Sequence, residues 1–233
     1  MVYKPAADRR YPTVLLLHGF TGQRTESGFL FVRLARAMNR RGMAAVTFDF
    51  LHSGESDGSF EKMLPGGELA DALRMTEWLV SQPFVDRTRL GLLGFSLGGL
   101  VAACLCGRTA AYRALVLLAP TTVDNLCRLA ETAASEPTTY GAHALHPDFF
   151  NDLRGLDPLG DVVRHPRPTL LVQGSADTAV TPTVSGEYVK AMQTARIDVD
   201  AHQIPDADHT FGQPAAQKSV LELARDWAAA KLC

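Results

Sequence analysis

Leu90-Gly91-Leu92-Leu93-Gly94-Phe95-Ser96-Leu97-Gly98-Gly99-Leu100-Val101-Ala102-Ala103-Cys104-Leu105 is the stretch on which the reading of this chain turns. A short apolar run enters Gly-x-Ser-x-Gly, and a run of small apolar residues leaves it, with Gly107 as a stop signal. That order reads strand, very tight turn, helix. The glycines at 94 and 98 have a steric reason. A serine held at a sharp strand-to-helix turn sits in a strained backbone state, and neighbouring chain must pass close by. The turn points the Ser96 hydroxyl outward above a helix N-terminus, whose free N–H groups and positive dipole end favour an anion. The five residues alone also fit a glycine-rich turn with an incidental serine, so the weight falls on their surroundings.

Outward from this turn the chain alternates. Thr13–Leu17 is a continuous apolar run, the pattern of a strand buried on both faces. It ends at the loop His18-Gly19-Phe20-Thr21-Gly22. From about Gly28 to Arg41, Leu30, Leu34 and Met38 recur every fourth residue, which predicts a helix stopped at Gly42. Strands are expected at Met43–Phe48, Arg89–Leu93, Arg113–Leu118, Thr169–Val172 and Ile197–Ile204. Helices are expected at Gly67–Ser81, Leu97–Arg108, Thr183–Thr194 and Pro214–Leu232. The prediction is a mostly parallel sheet of about six strands with helices on both faces, one domain over residues 1–233. Residues from about 121 to 166 break the rhythm with Pro137, Gly141, Pro147, Gly155, Pro158 and Gly160. They carry helical patches near Val123–Ala134 and Phe149–Leu153, and are read as a small cap inserted over the C-terminal edge of the sheet.

Size and charge narrow the function classes. A chain of 233 residues suits one α/β domain with a substantial core. A formal net charge of −2 gives no broad attraction to nucleic acid or an anionic membrane. No apolar run approaches the ~20 residues that span a bilayer. Met1-Val2-Tyr3-Lys4-Pro5 lacks the apolar core of a signal peptide. The cysteines at 104, 106, 127 and 233 show no zinc-type spacing and are expected to be reduced, in the cytosol.

In open α/β sheets ligands sit beyond the strand C-termini. His18-Gly19, Ser96, Asp177 and His209 all follow predicted strands there. A serine hydroxyl needs a base to take its proton and donors to hold an oxyanion. The base is expected to be a histidine oriented by a carboxylate. Of seven histidines, His209 lies in the turn between the last strand and the last helix, where a surface loop histidine is the plain alternative. His18 adjoins the first strand and either braces the oxyanion loop or is purely structural. His52 lies in a polar loop, and His143, His146 and His165 lie in or beside the cap. His143-x-x-His146 with Asp148 reads as a polar cap surface, because no third ligand has suitable spacing. Asp177, one short turn past a buried strand, is the chosen carboxylate. Asp206 and Asp208 are its rivals, but a carboxylate adjacent to its own histidine reaches the far ring nitrogen poorly. Asp49 reads as a structural turn acid. The oxyanion donors are expected to be the backbone N–H groups of Leu97 and Phe20. Tyr140, Phe149 and Phe150 either line an acyl pocket or anchor the cap to the core.

The order Ser96, Asp177, His209 resembles the α/β-hydrolase fold superfamily, as do the His18-Gly19 loop, the Gly94–Gly99 turn, Gly174-x-x-Asp177-x-x-Val180-x-Pro182 and Asp208-His209-x-Phe211. The likeness covers nearly the whole chain. Within it, His18-Gly19-Phe20-Thr21-Gly22 and Asp49-Phe50 through Ser56-Asp57-Gly58 look like the small bacterial cinnamoyl/feruloyl-type esterases. That group usually has His and Gln around the serine, where this chain has Phe95 and Leu97. The resemblance implies a serine esterase acting without a cofactor or metal on a small-molecule ester, through an acyl-enzyme. The same machinery serves thioesterases and peptidases, and a non-catalytic ligand-binding protein on this fold is the alternative of another class.

Overall fold

The computed structural model describes residues 1–6, 9–131 and 139–233. Along the chain run β1 (Val2–Tyr3), β2 (Tyr11–Leu17), α1 (Leu30–Arg40), β3 (Ala44–Thr47), α2 (Pro65–Ser81), β4 (Val85–Phe95), α3 (Leu97–Arg108) and β5 (Ala114–Leu118). Next come α4 (Val123–Glu131), β6 (Thr139–Tyr140), β7 (His143–Ala144), α5 (Phe149–Arg154) and α6 (Pro158–Asp161). The chain closes with β8 (Thr169–Gly174), α7 (Pro182–Thr194), β9 (Val199–Ile204) and α8 (Pro214–Leu232).

The main sheet has seven strands in the order β1-β3-β2-β4-β5-β8-β9. Six are parallel, and β1 pairs antiparallel with β3, Val2 opposite Val46. Two residues carry no period, so the seventh strand is legible only through the family resemblance, which leaves a short N-terminal strand at Val2–Lys4, where β1 lies. β4 likewise begins earlier than expected, since Asp86-Arg87-Thr88 hides its first turn-side residues, yet Val85 pairs with Tyr11.

The continuous apolar strands are explained by burial on both faces. In β2, Leu15 and Leu17 join one core cluster with α2, α3 and α7 residues such as Leu69, Leu100 and Tyr188. Val14 and Leu16 join the other, with Leu34 and Met38 of α1 and Val220 and Ala224 of α8. Each such side chain contributes about 1.5–3 kcal/mol relative to exposure. Helix α3 is buried continuously from Leu97 to Cys106, which is why its sequence is apolar all round.

Register then places the site. Leu17 lies opposite Gly94, Phe95 opposite Leu118, and Gly174 opposite Ile204. The chain therefore leaves β2, β4, β5, β8 and β9 along one edge, as expected for ligand binding. Between β5 and β8 the described residues form α4, the β6–β7 hairpin, α5 and α6. Helix α4 is described to Glu131; the rest of the patch expected to reach Ala134, and Pro137, lie outside the described residues. Helix α5 packs on α2, where the Gly66 amide donates to Asp152 at 2.5 Å, and α6 packs on α3. Among the described residues no helix is long and apolar enough to cross a membrane.

Candidate active site

The turn from β4 to α3 consists of Ser96 alone, at φ 55°, ψ −118°. Such a backbone state costs about 1–3 kcal/mol and persists only where its surroundings hold it. Here the Ser96 N–H donates to the Leu118 carbonyl at 3.0 Å, and the Ser96 carbonyl accepts from Gly99 at 2.9 Å and Thr121 at 3.2 Å. The flanking glycines leave room for backbone. A methyl on Gly94 would lie 2.2 Å from the Gly98 carbonyl oxygen, and one on Gly98 2.2 Å from that of Leu17.

Three side chains distant in sequence meet above this turn. The His209 Nε2 is 3.0 Å from Ser96 Oγ, and its Nδ1 is 2.8 Å from Asp177 Oδ2. The imidazole is partly exposed and the Asp177 side chain fully buried. Asp177 is heavily bonded: Oδ1 accepts from the amides of Ala179 (2.9 Å) and Val180 (2.8 Å), and Oδ2 also accepts from Gln173 Nε2 at 2.9 Å. Burial pushes this carboxyl up, but His209, Val180 and Gln173 outweigh it, leaving it below the usual carboxylate range. The Asp177 carboxylate is thus positioned to hold the imidazole with Nδ1 protonated and Nε2 facing the serine. Its rivals are occupied elsewhere: Asp208 Oδ1 accepts from Thr210 (3.1 Å) and the Gly212 amide (2.9 Å), and Asp206 is exposed.

The loop after β2 runs against the turn, so close that a Cβ on Gly19 would sit 3.1 Å from the Ser96 Cβ. The N–H groups of Phe20 and Leu97 meet no acceptor among the described residues. His18 is buried; its Nδ1 lies 3.0 Å from the Gly19 carbonyl, and its Nε2 accepts from the Phe50 amide at 3.2 Å. Burial lowers its proton affinity against the pull of Gly19 and Asp49, which suits a neutral ring donating from Nδ1. His18 therefore ties the Gly19 peptide to the loop after β3.

Ser96 and His209 border a cavity of about 390 Å³. Phe20, Phe95, Leu97, Leu126 and Tyr140 form its apolar wall; Gln23, Glu26, Ser27 and Thr210 supply polar groups. Of the three aromatic residues considered for the pocket, only Tyr140 borders this cavity. Phe149 is buried behind Phe20, ring centroids 5.4 Å apart, and Phe150 packs on Phe149 at 5.2 Å. The reason is helical: the apolar face of α5 turns toward α2 and the core, away from the edge. His143 instead packs tilted against Phe60 at 4.7 Å, His146 Nδ1 accepts from the Asp148 amide at 3.0 Å, and His165 is exposed. His52 lies outside the cavity wall. Asp49 ion-pairs with Arg24 and caps the loop through the Glu55 amide at 3.2 Å, a turn acid as expected.

Sequence reasoning passed over Gln173 and Glu26. Gln173 had a signal: it is the one amide side chain in the buried strand β8, four residues before Asp177. Glu26 had none, being one of several polar residues in the loop after Gly22.

The sheet order, the serine turn and the three converging side chains define an α/β-hydrolase fold. Residues 30–233 match the prolyl oligopeptidase family, and the chain belongs to that family. Among curated relatives it is 27% identical over 214 residues to lysophosphatidylserine lipase ABHD12 of Danio rerio, covering 87% of this chain and 52% of that protein. The chain spans between about a third and a little over half the length of the curated relatives it matches first. Among solved structures it is similar to Est1E of Butyrivibrio proteoclasticus with ferulic acid bound, at a TM-score of 0.84 and 20% identity over 99% of this chain and 94% of that one. It is also similar to a puromycin-hydrolyzing peptidase of Mycobacterium tuberculosis, at 0.78 and 19%, covering 99% of this chain and 36% of that one.

Proposed function

We propose that the protein is a serine hydrolase that cleaves carboxylic esters of small to medium acyl or aromatic acids. The observation that carries this reading is the 3.0 Å and 2.8 Å pair of contacts that His209 makes to Ser96 and Asp177. Ser96 Oγ attacks the ester carbonyl carbon while His209 Nε2 takes its proton. The carbonyl oxygen gains charge facing the N–H groups of Leu97 and Phe20, two donors whose removal costs about 10²–10³ in rate each in comparable sites. His209 then gives the proton to the leaving alkoxide, leaving an acyl group on Ser96. Water, activated by the same imidazole, hydrolyses that ester and restores the hydroxyl. Asp177 orients His209 throughout. Phe20, Leu126 and Tyr140 border the space next to Ser96, which suits an apolar acyl group. No group in this scheme asks for a metal or cofactor.

Residues 121–166 act in this reading as a small cap on a single domain, bringing Leu126 and Tyr140 to the cavity. The names of similar proteins support ester chemistry: a lysophosphatidylserine lipase, and Est1E with ferulic acid bound. Family membership favours a second reading, peptide cleavage by the same three residues. A series of p-nitrophenyl esters of rising chain length, run beside methyl ferulate and aminoacyl p-nitroanilides, separates the two. Esters turned over much faster than anilides support the esterase; the reverse order selects the peptidase. No turnover of either class points to a binding protein on this fold.

A further inference from the structure

We propose that Glu26 is a positioning residue of this site: it clamps the Gly19–Phe20 loop so that the Phe20 N–H faces the reacting carbonyl oxygen at Ser96. This rests on the serine-hydrolase reading above.

Glu26 reaches back across seven residues, and its Oε1 accepts the Gly19 N–H at 2.6 Å. Its Oε2 takes the Ser27 N–H at 3.1 Å. The reach needs Gly22: a methyl there would lie 2.8 Å from Glu26 Oε1 and 2.8 Å from the Gly19 carbonyl. On the other side of Gly19, its carbonyl accepts from the Gly22 N–H at 2.9 Å and faces His18 Nδ1 at 3.0 Å. The peptide group is planar and trans, so a held carbonyl fixes the N–H of the next residue in the opposite direction. His18 and Gly22 hold the carbonyl of the Gly19–Phe20 peptide, Glu26 holds the adjoining His18–Gly19 peptide through the Gly19 N–H, and Phe20 borders the cavity.

The placement is costly, which argues for a purpose beyond closing a turn. Glu26 sits at φ 56°, ψ 167°, a region that side chains avoid. Its carboxylate is nine-tenths buried with no cationic side chain bonded to it among the described residues. Burial raises its proton affinity, and the Gly19 and Ser27 amides and the nearby His209 only partly offset this. Glu26, Ser96 and His209 border one cavity, so strain and buried charge are concentrated where the oxyanion forms.

The test compares Glu26→Ala, Glu26→Asp and Glu26→Gln with wild type, each rate normalised to sites titrated by a fluorophosphonate. Aspartate keeps the charge but falls a methylene short of Gly19; glutamine keeps an acceptor of the right length. An oxyanion donor acts on the transition state, so kcat should fall about 10- to 100-fold in the Ala and Asp variants with KM within about twofold. Glu26→Gln should stay within about threefold of wild type. A residue that merely stabilises the fold would lower Tm and leave kcat per titrated site unchanged; that result overturns the inference. Equal loss in all three variants also overturns it, because glutamine, which keeps an acceptor in reach of the Gly19 N–H, would then fail to preserve the function assigned to that bond. If Glu26→Ala does not fold, Glu26→Asp against Glu26→Gln decides alone. A wild-type protein that neither turns over ester nor reacts with the fluorophosphonate fails in the first arm, and removes the hydrolase reading and this inference together.

Discussion

The ring of Phe95 lies against the imidazole of His209, 5.0 Å between centroids and 32° between planes. Phe95 is the residue directly before the serine. Here an apolar plate backs the His209 imidazole, and Phe211 backs that plate at 6.5 Å. Aromatic contacts of this kind are worth about 0.5–1.5 kcal/mol beyond area. Phe95→Leu keeps the bulk and removes the plate. Its kcat should fall about 2- to 10-fold at an unchanged pH optimum. Unaltered steady-state kinetics in a folded Phe95→Leu variant would show that the ring does not position His209.

The serine turn predicts intolerance at Gly98. An added methyl would meet the Leu17 carbonyl oxygen at 2.2 Å and that of His18 at 2.3 Å, both backbone atoms that cannot step aside. Gly98→Ala should destabilise by about 3 kcal/mol or more, at the upper end of overpacking costs. The urea midpoint measures it. A shift under a fifth of the wild-type value would mean that β2 and α3 are less closely packed than described.

Asp177 carries a prediction in activity and one in pH. Asp177→Asn leaves the space filled but removes the charge that selects the tautomer of His209, so kcat should drop on the order of 10³–10⁴. The folded carboxyl sits below its ordinary value, because His209, Val180 and Gln173 outweigh burial. Acid therefore protonates the unfolded chain first. The stabilisation is complete above the unfolded aspartate range, about 3.9, and is lost as pH falls through the lower folded value. The Tm gap between wild type and Asp177→Asn should accordingly narrow as pH falls below about 4. A gap that widens on acidification would reverse the assigned direction.

Glu68 behaves the opposite way. It is buried in α2, its Oε2 has no hydrogen-bond partner among the described residues, and burial with the Asp71 charge raises its proton affinity well above normal. Below the ordinary glutamate range, about 4.3, folded and unfolded chains both hold the proton. Above it only the unfolded chain ionises, so stability is lost as pH rises toward the folded value. Glu68→Gln removes this loss. Its stability relative to wild type should climb from pH 4 to pH 7 in denaturant titrations; a pH-independent difference would assign Glu68 an undetected partner.

Ser96, Asp177 and His209 were legible because each comes just after a strand whose apolar run is unmistakable, and parallel strands deliver the loops at their C-terminal ends to one edge. Both core faces were legible for the same reason: Leu15 and Leu17 alternate with Val14 and Leu16. The features that escaped were set by tertiary contact. Strand β1 exists because β3 offers an edge, not because Val2-Tyr3 announces one. Phe149 and Tyr140 are alike in sequence terms, yet α5 turns one into the core while a hairpin lifts the other to the cavity. Gln173, on strand β8, and Glu26, in the loop after Gly22, make bonds across four and seven residues to turns whose conformation no periodicity encodes.

In the proposed mechanism Ser96 is a nucleophile activated by His209. Incubating the folded protein with a fluorophosphonate and mapping the adduct by mass spectrometry tests it most directly. One adduct per chain is expected, on the peptide bearing Ser96, absent in Ser96→Ala and slowed at least a hundredfold in His209→Ala. Stoichiometric labelling at another residue, or none in a protein whose fold is intact, would contradict it.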